Sequence, residues 1–370
     1  MIYLDYNATA LVHDSVKSVV IELLGQPINP SAIHSFGRIG ENIMDDARQN
    51  IFSMLGLEQN SMDYEITFTS SGTESNNLII SNYLDGEVFI SNIEHESIFL
   101  YKNVSPNVKV IAVDRHGMLD LDDLRLKLSN SFSKKILVSV MMANNEIGVI
   151  QDIKAISSIA HKFGAAFHSD MAQVPGKIAV ELKDLDVDFI SLSSHKFSGF
   201  LGSGALVSKK KYKLTPMMLG GGQEQNLRSG TENIVSIAAF GEASKLVLKN
   251  QKKWYNQMLM LRDRLEQKLS EISSSIRVIS QNVLRLPNTS LIINPNTTSD
   301  AQVIFLDLNN IAVSAGSACK SRKKNSISHV LDAIGLSKED ISSAVRVSFG
   351  PNNTEDEVDQ FINIYSNIKY

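Results

Sequence analysis

The sequence predicts an α/β fold, a mostly parallel sheet flanked by helices, with a smaller α+β second domain. Three observations carry that reading. Between Glu65 and Ser193, short apolar runs alternate with stretches of helical periodicity, as in a sheet covered on both faces. Polar residues gather directly after those runs, where sheets of this kind bind ligands. The chain has 370 residues, more than the roughly 250 to 300 at which single cores stop growing. We place a large domain over 1–255 and a small one over 256–370, with segment 1–15 a candidate for packing on the small domain.

The first stretch, to about Leu57, reads as a short extended segment and two helices. The second helix carries Phe36, Ile39, Ile43, Met44, Ala47, Ile51 and Met54 at helical spacing, a face for packing. The proline-broken turn Asn29–His34 is expected to cap it. Strands are predicted at Glu65–Thr69, Glu87–Ser91, Lys109–Val113, Lys135–Met142, Ala165–Asp170 and Asp188–Ser193. Helices fall from Thr73, near His95, around Leu121–Leu128 and from Ile153. From Lys209 the pattern loosens into a glycine-rich loop through Gly220–Glu224 and Arg228–Asn233, and a loop of that length usually serves a function. Ile234–Ser270 reads as helical, broken or bent, bridging to the second domain. There, strands are expected at Ser290–Ile293 and Ala344–Ser348, and helices near Ala301–Leu308, Ser328–Ile334 and Glu355–Tyr365.

The composition is 43% hydrophobic and 21% charged, with a net charge of −4. Without a basic surplus, neither nucleic acid nor an anionic membrane is expected as the main partner, and small molecules become the ligands to look for. The N-terminus lacks a basic segment followed by an apolar one, and no later apolar run would span a bilayer, so a cytoplasmic location is expected. The single cysteine, Cys319, excludes an internal disulfide framework and a thiolate zinc cluster, and no metal is expected. A lone thiol is either inert filler or a reactive group. Small, polar and cationic neighbours, from Ser314-Ala315-Gly316 to Lys320-Ser321-Arg322-Lys323-Lys324, favour the reactive reading.

Four predicted strands end in chemistry. After the first comes Thr69-Ser70-Ser71-Gly72-Thr73-Glu74-Ser75, a glycine turn at a helix start that suits a phosphate or serves as a plain cap. Others end at Asn144-Asn145-Glu146-Ile147-Gly148, at Asp170-Met171-Ala172-Gln173 and at Ser193-Ser194-His195-Lys196. Lysine is rarely buried unpaired, so Lys196 needs an exit to water or a covalent partner. If the strands neighbour one another, their ends converge on one site. An amine able to form a Schiff base, a carboxylate able to hold a pyridine nitrogen protonated and a helix start able to anchor a phosphate together describe pyridoxal phosphate.

These motifs, with Met1–Thr9, Asn29–Gly37, Arg228–Thr231 and Gly316–Cys319, resemble the cysteine desulfurases across nearly the whole chain and in that family's order. The resemblance implies a fold-type I pyridoxal phosphate enzyme of the class V aminotransferase group, working as a homodimer. It implies that Lys196 holds the cofactor and moves protons, that Asp170 pairs with its ring nitrogen, and that His95 stacks over the ring. Gly72, Thr73, Ser193 and His195 would bind the phosphate, with Thr231 reaching the partner subunit's site. Gln173 and Asn145 would contact the ring oxygen region and the substrate, and Arg346 the substrate carboxylate. L-cysteine would give L-alanine and a persulfide on Cys319, passed to a sulfur acceptor such as an iron-sulfur scaffold.

The sequence departs from the family pattern at Ala10, where a second threonine is usual, and in the basic run after Cys319. Its end at Tyr370 leads us to expect no C-terminal extension of the kind with which some members dock a scaffold. A selenocysteine lyase or class V aminotransferase would keep Lys196, Asp170 and Arg346 with less need of Cys319. A non-catalytic scaffold would predict loss of at least one of Lys196, Asp170, His95 and Cys319, and all four are present.

Overall fold

The computed structural model describes residues 1–58, 63–316 and 327–368, so Cys319 and the basic run after it lie outside the described residues. Along the chain the strands are β1 (Ile2–Tyr3), β2 (Tyr64–Thr69), β3 (Glu87–Ser91), β4 (Val108–Ile111), β5 (Ile136–Ser139), β6 (Ala166–Asp170), β7 (Phe189–Ser193), β8 (Gly204–Lys209), β9 (Arg277–Val278), β10 (Thr289–Ile293), β11 (Ile311–Ala312), β12 (Ser314–Ala315) and β13 (Ala344–Ser348). Seven of them form the large sheet in the order β2-β8-β7-β6-β5-β3-β4. Strands β7, β6, β5, β3 and β4 pair in parallel, as their connecting helices require.

The central strands are buried on both faces, which is why their sequences read as short apolar runs without clean alternation. Their interior polar groups are paired within the sheet. His168 in β6 joins Ser139 Oγ of β5 at 2.8 Å through Nδ1 and Ser191 Oγ of β7 at 2.9 Å through Nε2. Burial pushes His168 down to about 4, so this ladder is uncharged at neutral pH.

Strand β8 was not expected, because it opens among glycines directly after the Lys196 turn. It runs antiparallel to both β7 and β2 and so separates the first predicted strand from the others. Two reversals restore direction, and β2 points the same way as β5, β6 and β7. All four chemistry-bearing ends therefore reach one edge of the sheet.

The second sheet is antiparallel in the order β12-β13-β10-β9, with Leu291 opposite Arg346. The chain's first strand pairs in parallel with β11, and Asp5 bridges to Ser348 of β13. A 39-residue helix, Ile234–Ile272, runs without the break that was one of the two expectations for this stretch. It packs on helix Ser35–Met54 closely enough that a Cβ at Gly241 would fall 2.8 Å from Ala47 Cα. The buried residues of helix Ser35–Met54 are Gly37, Gly40, Met44, Ala47, Ile51, Phe52 and Met54. Phe36 and Ile39, assigned from spacing to the packing face, are each 41% exposed, because the two glycines and not the larger residues meet the chain here. His34 caps this helix by position but makes no side-chain cap bond. Among the described residues no helix is long and apolar enough to cross a membrane.

Strand β8 touches the ligand edge at Gly204, where an added Cβ would lie 2.4 Å from Ser71 C and 2.8 Å from Gly72 N. These are backbone atoms of a helix start and cannot swing aside. Gly204→Ala should cost about 1 to 3 kcal/mol of unfolding free energy, measured by denaturant titration. Unchanged stability would show that the Ser71–Gly72 turn is free to retreat.

Candidate active site

At the carboxyl edge of the large sheet, facing the second sheet, lies a cavity of about 290 Å³. Gly72, Thr73, His95, Asn145, Asp170, Gln173, Ser193, His195, Lys196 and Arg346, all singled out in the sequence, line it. Thr231 is exposed and lies outside the lining. Asn7, Ala8 and Asn76 also line the cavity. Asn7 and Ala8 stand inside a motif noted in the sequence and Asn76 directly after one, yet nothing local to them signals a role.

One wall is the start of helix Gly72–Ser81. Ser71 Oγ accepts from Glu74 N at 3.2 Å, and Glu74 Oε2 accepts from Ser70 N at 2.7 Å. Arg228 Nε holds the other Glu74 oxygen at 3.0 Å. The amides of Gly72 and Thr73 have no protein acceptor among the described residues, which leaves them and the helix dipole for an anion. Ser193 ends β7 close by, 3.3 Å from where a Gly72 Cβ would stand. His195 follows in the turn Ser194–Lys196, its Nδ1 3.2 Å from Thr9 Oγ1. Burial, then the nearby Lys196 and Lys177, push His195 down to about 4.

On another wall, Asp170 ends β6 as a buried carboxylate. Asn76 Nδ2 donates to its Oδ2 at 2.7 Å and Ala172 N to its Oδ1 at 2.9 Å, so both oxygens are aimed. His95 caps helix Glu96–Phe99, and its Nδ1 accepts from Ser97 N at 3.2 Å. A backbone amide can only donate, so in neutral His95 the proton sits on Nε2. Burial first lowers the His95 pKa, partly opposed by Asp170.

Lys196 Nζ donates to the carbonyls of Asn7 at 2.7 Å and Ala8 at 3.0 Å. Gln173 Nε2 donates to the same Asn7 carbonyl at 2.9 Å. Arg346, in β13, is 1% exposed. Its Nη1 donates to Asn145 O at 2.9 Å and its Nη2 pairs with Asp5, while Nε is buried without a partner. Of five guanidinium hydrogens, those bonds leave a set still able to receive an anion.

Residues 2–361 match the aminotransferase class-V family. A cysteine desulfurase of Sinorhizobium fredii is 36% identical over 374 residues, covering 98% of this chain and 95% of its own. The chain belongs to the cysteine desulfurase family. The X-ray structure of a NifS-like protein from Rickettsia africae superposes with a TM-score of 0.94 at 45% identity, covering 99% of this chain and 98% of that one. A structure of SspA in complex with cysteine gives 0.81 at 27% identity, with 96% and 100% covered. Fold-type I members of the family use pyridoxal phosphate, and the donor set fits that group: unpaired amides for a phosphate, an aimed carboxylate for a ring nitrogen and a lysine amine at the same cavity.

Beneath His95, Glu94 is wholly buried. Its Oε1 accepts from Met141 N at 2.9 Å and from Ser91 Oγ, and its Oε2 has no partner. Burial pushes its pKa up to about 8, against the lowering by those two hydrogen bonds. The folded value lies above the unfolded one of about 4.3, so the folded state binds the extra proton. That contribution is present below about pH 4.3 and is lost as pH rises through about 8. Glu94→Gln keeps the accepting oxygen and cannot ionise. The melting temperature of the variant minus that of the wild type should therefore rise between about pH 5 and pH 8.5; a flat difference would contradict a neutral Glu94.

Proposed function

We propose that the cavity binds pyridoxal phosphate on Lys196 and converts L-cysteine to L-alanine, with the sulfur passing to Cys319. The observation that supports this best is the meeting of Lys196, Asp170, the Gly72–Thr73 amides and Arg346 at one cavity. Bound there, the cofactor supplies an electron sink for the pair left at the substrate α-carbon. Asp170 keeps the ring nitrogen protonated, and Asn76 holds that carboxylate in line. The Gly72 and Thr73 amides, Ser193 and His195 take the phosphate. Gln173 and Asn145 reach the ring oxygen region and the substrate.

Arg346 receives the substrate carboxylate with its remaining donors and so orients the α-hydrogen and the sulfur. Lys196 takes the α-proton and returns a proton to carbon, with His95 Nε2 as the second carrier. The Cys319 thiolate attacks the substrate sulfur. An S–S bond forms, the Cβ–S bond breaks, and its electron pair stays with the carbon that accepts the proton. L-cysteine and one thiol thus give L-alanine and one persulfide, with no outside oxidant. The enzyme works as a homodimer in which exposed Thr231 serves the partner's site. The persulfide sulfur goes to an acceptor protein such as an iron-sulfur scaffold.

The test is to incubate purified protein with L-cysteine and a thiol reductant, with and without pyridoxal phosphate, and to quantify alanine and sulfide. Equal amounts that depend on the cofactor are expected, and no alanine would defeat the reading. Lys196→Ala should lose the visible cofactor band and all turnover; a retained band would place the attachment elsewhere. Cys319→Ser should still change the cofactor spectrum on adding L-cysteine while releasing no sulfide. Normal sulfide release would remove Cys319 from the reaction.

A further inference from the structure

Four residues beyond Gln173, in the turns after β6, stands Lys177. It is 4% exposed. Its Nζ donates to Gln173 Oε1 at 2.8 Å, and among the described residues it has no carboxylate partner. Tyr6, Phe197, Trp254, Met258 and Phe349 line the same narrow space. The charged groups that face it, Lys196 and Arg346, are both cationic, and with burial as the larger cause they hold its amine well below the usual lysine range. A lysine in such surroundings is unfavourable for the fold, so its placement calls for another explanation.

A carboxamide can be turned either way, and its two ends do opposite things. The Lys177 amine meets the oxygen end of Gln173 and donates to it. The Asn7 carbonyl only accepts, and it meets Gln173 Nε2 at 2.9 Å. The two constraints agree and leave the second Nε2 hydrogen to a side chain that lines the cavity beside Lys196.

We propose that Lys177 is a positioning residue that fixes the Gln173 carboxamide with its donor end toward the ring oxygen of the bound cofactor. This rests on the cofactor reading above. A hydrogen bond donated to that oxygen draws off negative charge and weakens its hold on the proton of the neighbouring lysine-linked nitrogen. That proton is then lost at lower pH. Without Lys177 the Asn7 carbonyl alone holds the carboxamide, and its donor end is aimed less firmly at the ring.

The experiment titrates the visible band of the pyridoxal phosphate-loaded protein with pH in the wild type, Lys177→Met, Gln173→Leu and the double variant. Lys177→Met should raise the midpoint by about one pH unit, the size a single hydrogen bond carries. In the Gln173→Leu background the same change should have almost no effect, because a residue acting through Gln173 has nothing left to act on. An unshifted midpoint in Lys177→Met would overturn the proposal. So would an equal shift in both backgrounds, which would mark Lys177 as a direct charge effect. Should Lys177→Met not fold, Lys177→Gln keeps an amide donor without the cation: a midpoint near wild type supports positioning, and a full shift refutes it. Failure of the cofactor reading looks different, since the wild type would then show no band or Lys196→Ala would keep one.

Discussion

The interior of the cavity depends on one residue that takes no part in the chemistry, Asn7. Its carbonyl receives Lys196 Nζ and Gln173 Nε2. Its side chain donates to Thr289 Oγ1 at 2.9 Å and Asn145 O at 3.2 Å and accepts from Asn288 at 3.0 Å. Its amide donates to Ser348 Oγ at 3.0 Å. Asn7 is 1% exposed, so water cannot stand in for any of these partners. Each buried polar group left without its partner costs about 1 to 3 kcal/mol, which makes the N-terminal segment a tie between the two sheets. The pairing of β1 with β11 delivers it there.

Around that tie the cavity gathers groups that water would normally shield. Arg346, Lys177, Glu94, Asp170 and His168 are all buried. Arg346 pairs with Asp5, and neutral groups hold the others in place: the Asn145 carbonyl beside Arg346, Gln173 beside Lys177, Asn76 beside Asp170. Groups of this kind transmit orientation without adding charge. In a medium of low effective dielectric such fixed dipoles act more strongly than they would in water. The arrangement suits a reaction in which charge develops at carbon and sulfur and must be received without reorganising solvent.

Much of this was legible in the sequence, for a physical reason. Asp170 and Lys196 stand at the ends of apolar runs, so period and chemistry coincide, and the glycine turn at Gly72 shows where a helix starts. Asn7, Asn76 and Lys177 were not legible as working residues, because each acquires its role from a partner far away along the chain or across a turn. Strand β8 was hidden because antiparallel insertion leaves no mark on a pattern of alternating strands and helices. Spacing also assigned Phe36 and Ile39 to a packed face, although the turn at Ile28, Pro30 and Ala32 comes close at Gly37 and Gly40, which needs small residues and leaves the large ones outside. Cys319, whose neighbours suggest a reactive thiol, lies outside the described residues, and the proposed chemistry is what ties it to the cavity.

Substrate sulfur should leave this cavity on Cys319. The most direct measurement is the mass of the peptide bearing Cys319 after the cofactor-loaded protein meets one equivalent of L-cysteine without reductant, with alanine counted in the same sample. This peptide should gain one sulfur atom for each alanine formed, and neither should appear in Lys196→Ala. Alanine formed while the peptide keeps its original mass would contradict it.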